Sequence, residues 1–264
     1  MVFYKFPSSK NLNRFNVSFW SLLISFLLSI IFFNTKIETT STAMLILAAL
    51  WGASFLALSI IQMYALSHVE TNTLFPVTSI LSLVLTVALG LTFFKDSITF
   101  LQGSGIFLVI LTVYFYIFDG IKLKFSNSIL GIGLFIVFLS ALNKILQKLA
   151  ADNVNVEAFQ IYQYLFGVIF AFACFLYTQK ETWRKDIFLG HKIGSIIGLF
   201  SFLGGYLLIL ALASGPLSLV FSIFALYTLV TAIAGYIFFK ENLTKRKIAL
   251  IFLAIVATLV IRLG

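Results

Sequence analysis

Phe93-Phe94-Lys95-Asp96-Ser97-Ile98-Thr99 is answered 145 residues later by Phe238-Phe239-Lys240-Glu241-Asn242-Leu243-Thr244. Four of the seven positions are identical, and Asp/Glu and Ile/Leu are conservative exchanges. The same offset pairs Thr86 with Thr231 and Gly90 with Gly235. A weaker echo links Tyr64-Ala65-Leu66-Ser67 to Leu210-Ala211-Leu212-Ala213, one residue out of step. Apolar segments match easily by chance; a charged loop motif matches far less easily. The reading is therefore an internal repeat.

The surroundings of the motif set its solvent. Of 264 residues, 61% are hydrophobic and 10% charged, and Phe alone accounts for 31. A soluble domain carries about 25% charged residues, so this chain has too little polar surface to cover a globule in water. A bilayer is its natural solvent. The net charge of +9 does not point to nucleic acid, because the 18 Lys and Arg sit in short loops between apolar runs. The single Cys, Cys174, cannot form an intrachain disulfide, and His68 and His191 have no ligand spacing around them, so neither a metal nor a cofactor is expected. The first apolar run is too long for a signal-peptide core and lacks a cleavage site.

Charges mark the spans. The uncharged runs are Phe15–Thr35, Thr39–Ser67, Thr71–Phe94, Ser97–Phe118, Phe125–Asn143 (continuing toward Leu149) and Ala158–Gln179, and a last span, Ile248–Gly264, tolerates Arg262 if it snorkels at the end. Ile193–Phe239 is 47 residues without charge, long enough for two helices, and Ser214-Gly215-Pro216 is where it should break. The expectation is an all-α polytopic membrane protein of nine transmembrane helices. The two motif copies close the third and eighth spans, five helices apart. Five is odd, so the copies face opposite sides, as in the inverted repeats of many secondary transporters. The first repeat, lacking its first helix, is then residues 1–120 and the second 121–264. Met1 stands where a missing first helix should end, which predicts a truncated chain or an internal start codon.

The closing motif of each half resembles that of the drug/metabolite transporter superfamily, specifically EamA-type proteins. The resemblance rests on Phe93 to Gly103 in the first half and Phe238 to Thr244 in the second. It implies ten helices in two inverted halves and transport of metabolites such as amino acids, sugars or amines. This chain departs in lacking the first helix and in having Lys247-Ile248-Ala249 where a glycine is expected. The membrane-embedded Glu of the small multidrug-resistance relatives has no counterpart in a central span.

Thirteen Lys and Arg fall on the side of Lys5, Lys10 and Arg14, and five on the side of Lys36, Lys95 and Lys144. The positive-inside rule places the visible N-terminus in the cytoplasm of a plasma-membrane protein, and the C-terminus outside. This opposes the commoner family topology, which has both ends cytoplasmic.

Polar groups near midplane are the candidate solute contacts: Trp51, Asn143, Lys144, Tyr164, Tyr206 and Tyr227. The competing reading of each is an interior residue whose polar tip a neighbour satisfies, or, for Lys144, a cation snorkelling at a helix end. The stripes Ser79, Ser82, Thr86 and Thr228, Thr231, Gly235, and the pairs Gly194/Gly198 and Ser201/Gly205, read as helix packing. Gly204-Gly205 is also a kink candidate. No phosphate-binding loop suggests direct ATP drive, and no clustered acid–base groups suggest an enzyme. The expected partners are a small solute and the lipid bilayer, with a homodimer left open. A non-transporting scaffold, or an inactive remnant of a transporter, is the alternative function.

Overall fold

The computed structural model describes residues 12–37, 40–68, 71–118, 127–177, 183–224 and 245–263, together with Tyr4, Pro7, Leu226, Tyr227 and Val230. Among them the chain is helical: α1 Arg14–Phe33, α2 Thr42–Ala65, α3 Thr71–Thr92, α4 Phe100–Phe118, α5 Asn127–Asn153, α6 Val156–Tyr177, α7 Trp183–Ser214, α8 Leu217–Phe224 and α9 Lys245–Leu263. Among the described residues five stretches are long and apolar enough to cross a bilayer: Arg14–Lys36, Thr42–Ala65, Gly131–Asn153, Val156–Tyr177 and Phe188–Ser214. Their outward faces carry side chains such as Ile31, Phe32, Phe138, Phe172 and Leu207. In water such a surface would drive association; in hydrocarbon it is neutral.

Local chemistry sets the helix ends. Asn13 caps α1 by accepting from the backbone N–H of Phe15 and Asn16. Ser41 caps α2 through Met44, and Asn155 caps α6 through Ala158. Thr99 and Gln102 exchange side-chain and backbone bonds at the start of α4, which satisfies two otherwise orphaned donors. The expected break at Ser214-Gly215-Pro216 separates α7 from α8. The helix continues unbroken through Gly204-Gly205.

Two helices start before the charge-bounded runs that mark their spans. α7 begins at Trp183, ten residues before Ile193, and runs through Arg184, Lys185, Asp186 and Lys192. The Lys192 ammonium lies 4.6 Å from the Phe188 ring centroid, so a cation on the polar flank of a helix need not end it. α9 likewise begins within Lys245-Arg246-Lys247. Lys144 is not at a helix end: α5 continues to Asn153.

The chain divides into two compact units, each assembled from two or more separate stretches of sequence. One unit is Phe3–Ser67 with Leu142–Ser214; the other is Met1–Val2, His68–Ala141 and Gly215–Gly264. In the first, α1 packs on α7, α6 and α2, and α6 packs on α2 and α7. In the second, α3 packs on α8 and α4, and α4 packs on α9 and α8.

At one end of the first unit Lys148 is buried. Its ammonium donates to Asp152 Oδ1 at 2.8 Å and to the Leu212 carbonyl at 2.9 Å near the C-terminus of α7. A cation is favoured there by the helix dipole and by the free carbonyls. Asp152→Ala removes a half-exposed partner, and we expect it to lower stability by about 1 kcal/mol. Thermal unfolding in detergent micelles reads that loss.

Candidate functional site

The polar groups of the first unit are built onto close-packed helices. Gly198 on α7 is pressed against the Ser21 carbonyl of α1, and a Cβ added to it would also lie 2.9 Å from Ile24 Cβ. The Ser25 hydroxyl on α1 donates to the Gly198 carbonyl at 2.9 Å. Gly194, one turn earlier, meets α1 in the same way: an added Cβ would lie 2.8 Å from the Val17 carbonyl. On the α2–α6 pair, a Cβ at Gly52 would lie 2.7 Å from the Gly167 nitrogen and 3.1 Å from the Gln163 carbonyl. The packing reading of Gly194/Gly198 thus holds, because the backbones touch where a side chain would stand.

These contacts come in matched sets. Gly52 and Gly198 stand 146 positions apart, as do Ser21 and Gly167. Ser18 and Ser59 face each other across α1 and α2, with their hydroxyls 3.4 Å apart. The residues 146 positions on are Tyr164 and Gly205, which face each other across α6 and α7; a Cβ on Gly205 would lie 2.8 Å from the Tyr164 hydroxyl. Shifting each helix by five turns the α1–α7 pair into α6–α2 and the α1–α2 pair into α6–α7, and maps α1–α6 onto itself.

Around these contacts lies a buried polar layer. Trp51 stacks on Phe55 with centroids 4.5 Å apart and meets Tyr164 edge-on at 5.6 Å. The Tyr164 hydroxyl donates to the Ser201 carbonyl at 2.8 Å. Asn143 on α5 is buried and its Oδ1 accepts from Ser54, one turn along α2 from Trp51, at 3.3 Å. Gln163 Nε2 donates to Gln160 Oε1 at 2.6 Å, and Gln160 Nε2 donates to the Phe202 carbonyl at 3.3 Å. Two buried polar atoms of this layer have no hydrogen-bond partner, the Trp51 indole Nε1 and Gln163 Oε1.

Of the sequence candidates, the structure brings Trp51 and Tyr164 into contact and links Asn143 to α2 through Ser54. Tyr206 lies apart from that contact: its hydroxyl donates to Glu157 Oε1 at 3.4 Å, its ring is 4.7 Å from that of Phe33, and Glu157 also pairs with Lys36. Lys144 is half-buried on α5. Tyr227 belongs to the other unit, with its ring 5.3 Å from Phe224. Gln160 and Gln163 were missed by sequence reading, although two amides at i and i+3 within an apolar run are a legible signal. The stripe Ser79, Ser82, Thr86 is buried, and Thr86 donates to the Ser82 carbonyl of its own helix. Thr228, Thr231, Gly235 and the second motif copy, Phe238 to Thr244, lie outside the described residues. Among the described residues no cluster of three or more His, Cys, Asp or Glu could hold a metal.

A family model, the EamA-like transporter family, matches residues 127–263, more than half of the chain. The chain belongs to the EamA-like transporter family. It is an integral, multi-pass membrane protein of a family that moves small solutes rather than transforming them. A solved structure described only as "Crystal structure of protein" matches with a TM-score of 0.75 over 97% of this chain and 91% of the other, at 11% identity. That likeness shows the fold alone. A comparison with curated protein sequences found no match. The family resemblance read from the acidic loop motif is therefore correct, and the first copy of that motif lies outside the matched residues.

Proposed function

We propose that this chain is a secondary transporter of small metabolites, such as amino acids, sugars or amines, working by alternating access between two inverted helical repeats, residues 1–120 and 121–264, in nine spans. The observation that carries the reading is the matched contact set: Ser21–Gly198 with Gly167–Gly52, and Ser18–Ser59 with Tyr164–Gly205. Two copies related by a two-fold axis in the membrane plane make each inter-copy contact twice, as Ser21–Gly198 and Gly167–Gly52 do, and repeat each contact within a copy, as Ser18–Ser59 and Tyr164–Gly205 do. The C-terminal end of α3 also meets the N-terminal end of α8, a contact that supports equivalent helices running in opposite senses.

The solute contacts we assign in the first unit are Trp51, Asn143, Lys144, Tyr164 and Tyr206, with Tyr227 a separate candidate in the other unit. The two unpaired buried atoms, one donor and one acceptor, favour a solute group that can accept from Trp51 and donate to Gln163. The charge count supports an N-terminus on the cytoplasmic side, and the membrane we propose is the plasma membrane.

Untargeted metabolite comparison of cells with and without the gene should reveal an accumulating or depleted solute. Asn143→Ala and Tyr206→Ala should each lower its flux about tenfold or more, at unchanged protein level, because each strips a hydrogen-bonding group from the path. Wild-type flux in both variants would remove these residues from the site.

A further inference from the structure

In the second unit the acidic residue of the first motif copy, Asp96, meets a helix start. The end of α3 folds back on itself: Phe94 N–H donates to the Leu89 carbonyl at 3.2 Å, and Asp96 N–H to the Gly90 carbonyl at 3.0 Å. Lys95 takes the left-handed φ of 54° that this turn needs. On its other side the segment enters the Thr99/Gln102 capping box of α4. Asp96 is thus held between two fixed helix ends. Its Oδ2 accepts from Ser218 N–H at 2.8 Å and from Ser218 Oγ at 2.7 Å. Ser218 is the second residue of α8, so a carboxylate here meets an orphan N–H at the positive end of a helix dipole. Gly90 allows the approach: a side chain there would strike Ser218 Oγ and lie 2.6 Å from Asp96 Oδ2.

Both helix breaks of this region meet at that one oxygen, the turn at 93–99 and the Ser214-Gly215-Pro216 break that starts α8. The bond closes one end of the α3–α8 pair. These are the equivalent helices of the two copies. In alternating access it is equivalent helices that must part at one face while they meet at the other.

We propose that Asp96 is a positioning residue for transport: its carboxylate closes α3 against α8 at the face that carries residues 93–99, and it must release Ser218 for that face to open. The inference rests on the transporter reading. It also explains why an acid sits in the loop motif, which composition alone does not.

The test is side-specific labelling in a Cys174→Ala background with one reporter, Thr86→Cys, on α3. Thr86 is fully buried. Right-side-out and inside-out membrane vesicles are treated with a membrane-impermeant maleimide. Asp96→Ala should raise labelling about tenfold from the 93–99 face and leave labelling from the opposite face unchanged or lower, since losing bonds to a charged acceptor shifts a two-state balance by at least that factor. Ser218→Ala, which keeps the backbone N–H bond, should give a smaller rise on the same face. Asp96→Asn, which keeps an acceptor, should restore most of the protection. Unchanged labelling in Asp96→Ala, or a rise of equal size from both faces, overturns the proposal, because the second result is what a merely structural cap gives. The assay needs no solute. Loss of the transporter reading shows instead as absent solute flux in the wild-type chain.

Discussion

Gly198→Ala is expected to lower the stability of the chain by about 1–3 kcal/mol, while Gly204→Ala, further along the same helix, changes it by less than about 1 kcal/mol. The chemistry is identical, so the difference measures packing. At Gly198 the added methyl meets the Ser21 carbonyl of α1, which is backbone and cannot rotate away; at Gly204 nothing lies within 4 Å. Gly52→Ala should cost about as much as Gly198→Ala, because its methyl would meet the Gly167 nitrogen. Near-equal losses at Gly52 and Gly198 are what a two-fold-related pair of contacts requires. The readout is the temperature at which the purified chain in detergent loses its monodisperse elution profile. A tolerated Gly198→Ala would mean that α1 and α7 do not approach as described.

Trp51→Ala is expected to be the costliest single change in the first unit, at about 3–5 kcal/mol. The indole is almost wholly buried, stacked on Phe55 and set edge-on against Tyr164. Truncation leaves a cavity between α2 and α6 and removes two aromatic pairs, each worth about 0.5–1.5 kcal/mol beyond area. Trp51→Phe should cost clearly less. It keeps a ring for both neighbours, and the indole N–H it deletes makes no hydrogen bond within the chain. If Trp51 also contacts solute, Trp51→Phe should lower flux by more than its stability loss explains. Paired measurements of folded fraction and flux on the two variants separate the roles.

Much of this was legible in the sequence, for physical reasons that differ by residue. Ser214-Gly215-Pro216 could be read as a break because proline lacks the N–H that a continuing helix needs. The pair Gly194/Gly198 could be read as a contact because only small residues at that spacing let helix backbones meet. The start of α7 could not be read from charge, because a lysine can lie along a helix flank with its ammonium over a ring of the same helix, as Lys192 does over Phe188. The acid of the first motif copy was visible as Asp96, but its role was not. The bond to Ser218 spans 122 residues, and no local pattern predicts which distant helix start a loop carboxylate will meet. The same limit hid the grouping of candidates. Trp51 and Tyr164 touch because α2 packs on α6, whereas Tyr227 belongs to the other unit. The matched contacts also refine the repeat itself. The offset is 145 around the motif and 146 in α1, α2, α6 and α7, consistent with the one-residue step seen between Tyr64-Ala65-Leu66-Ser67 and Leu210-Ala211-Leu212-Ala213.

The most direct test of the transporter reading is counterflow. The purified chain is reconstituted into lipid vesicles loaded with the solute that the metabolite comparison identifies, and a trace of labelled solute is added outside. Alternating access predicts transient, saturable accumulation of label above its equilibrium level, driven only by exchange with unlabelled solute. Label that enters no faster than in protein-free vesicles, for every solute whose cellular level the gene changes, would contradict it.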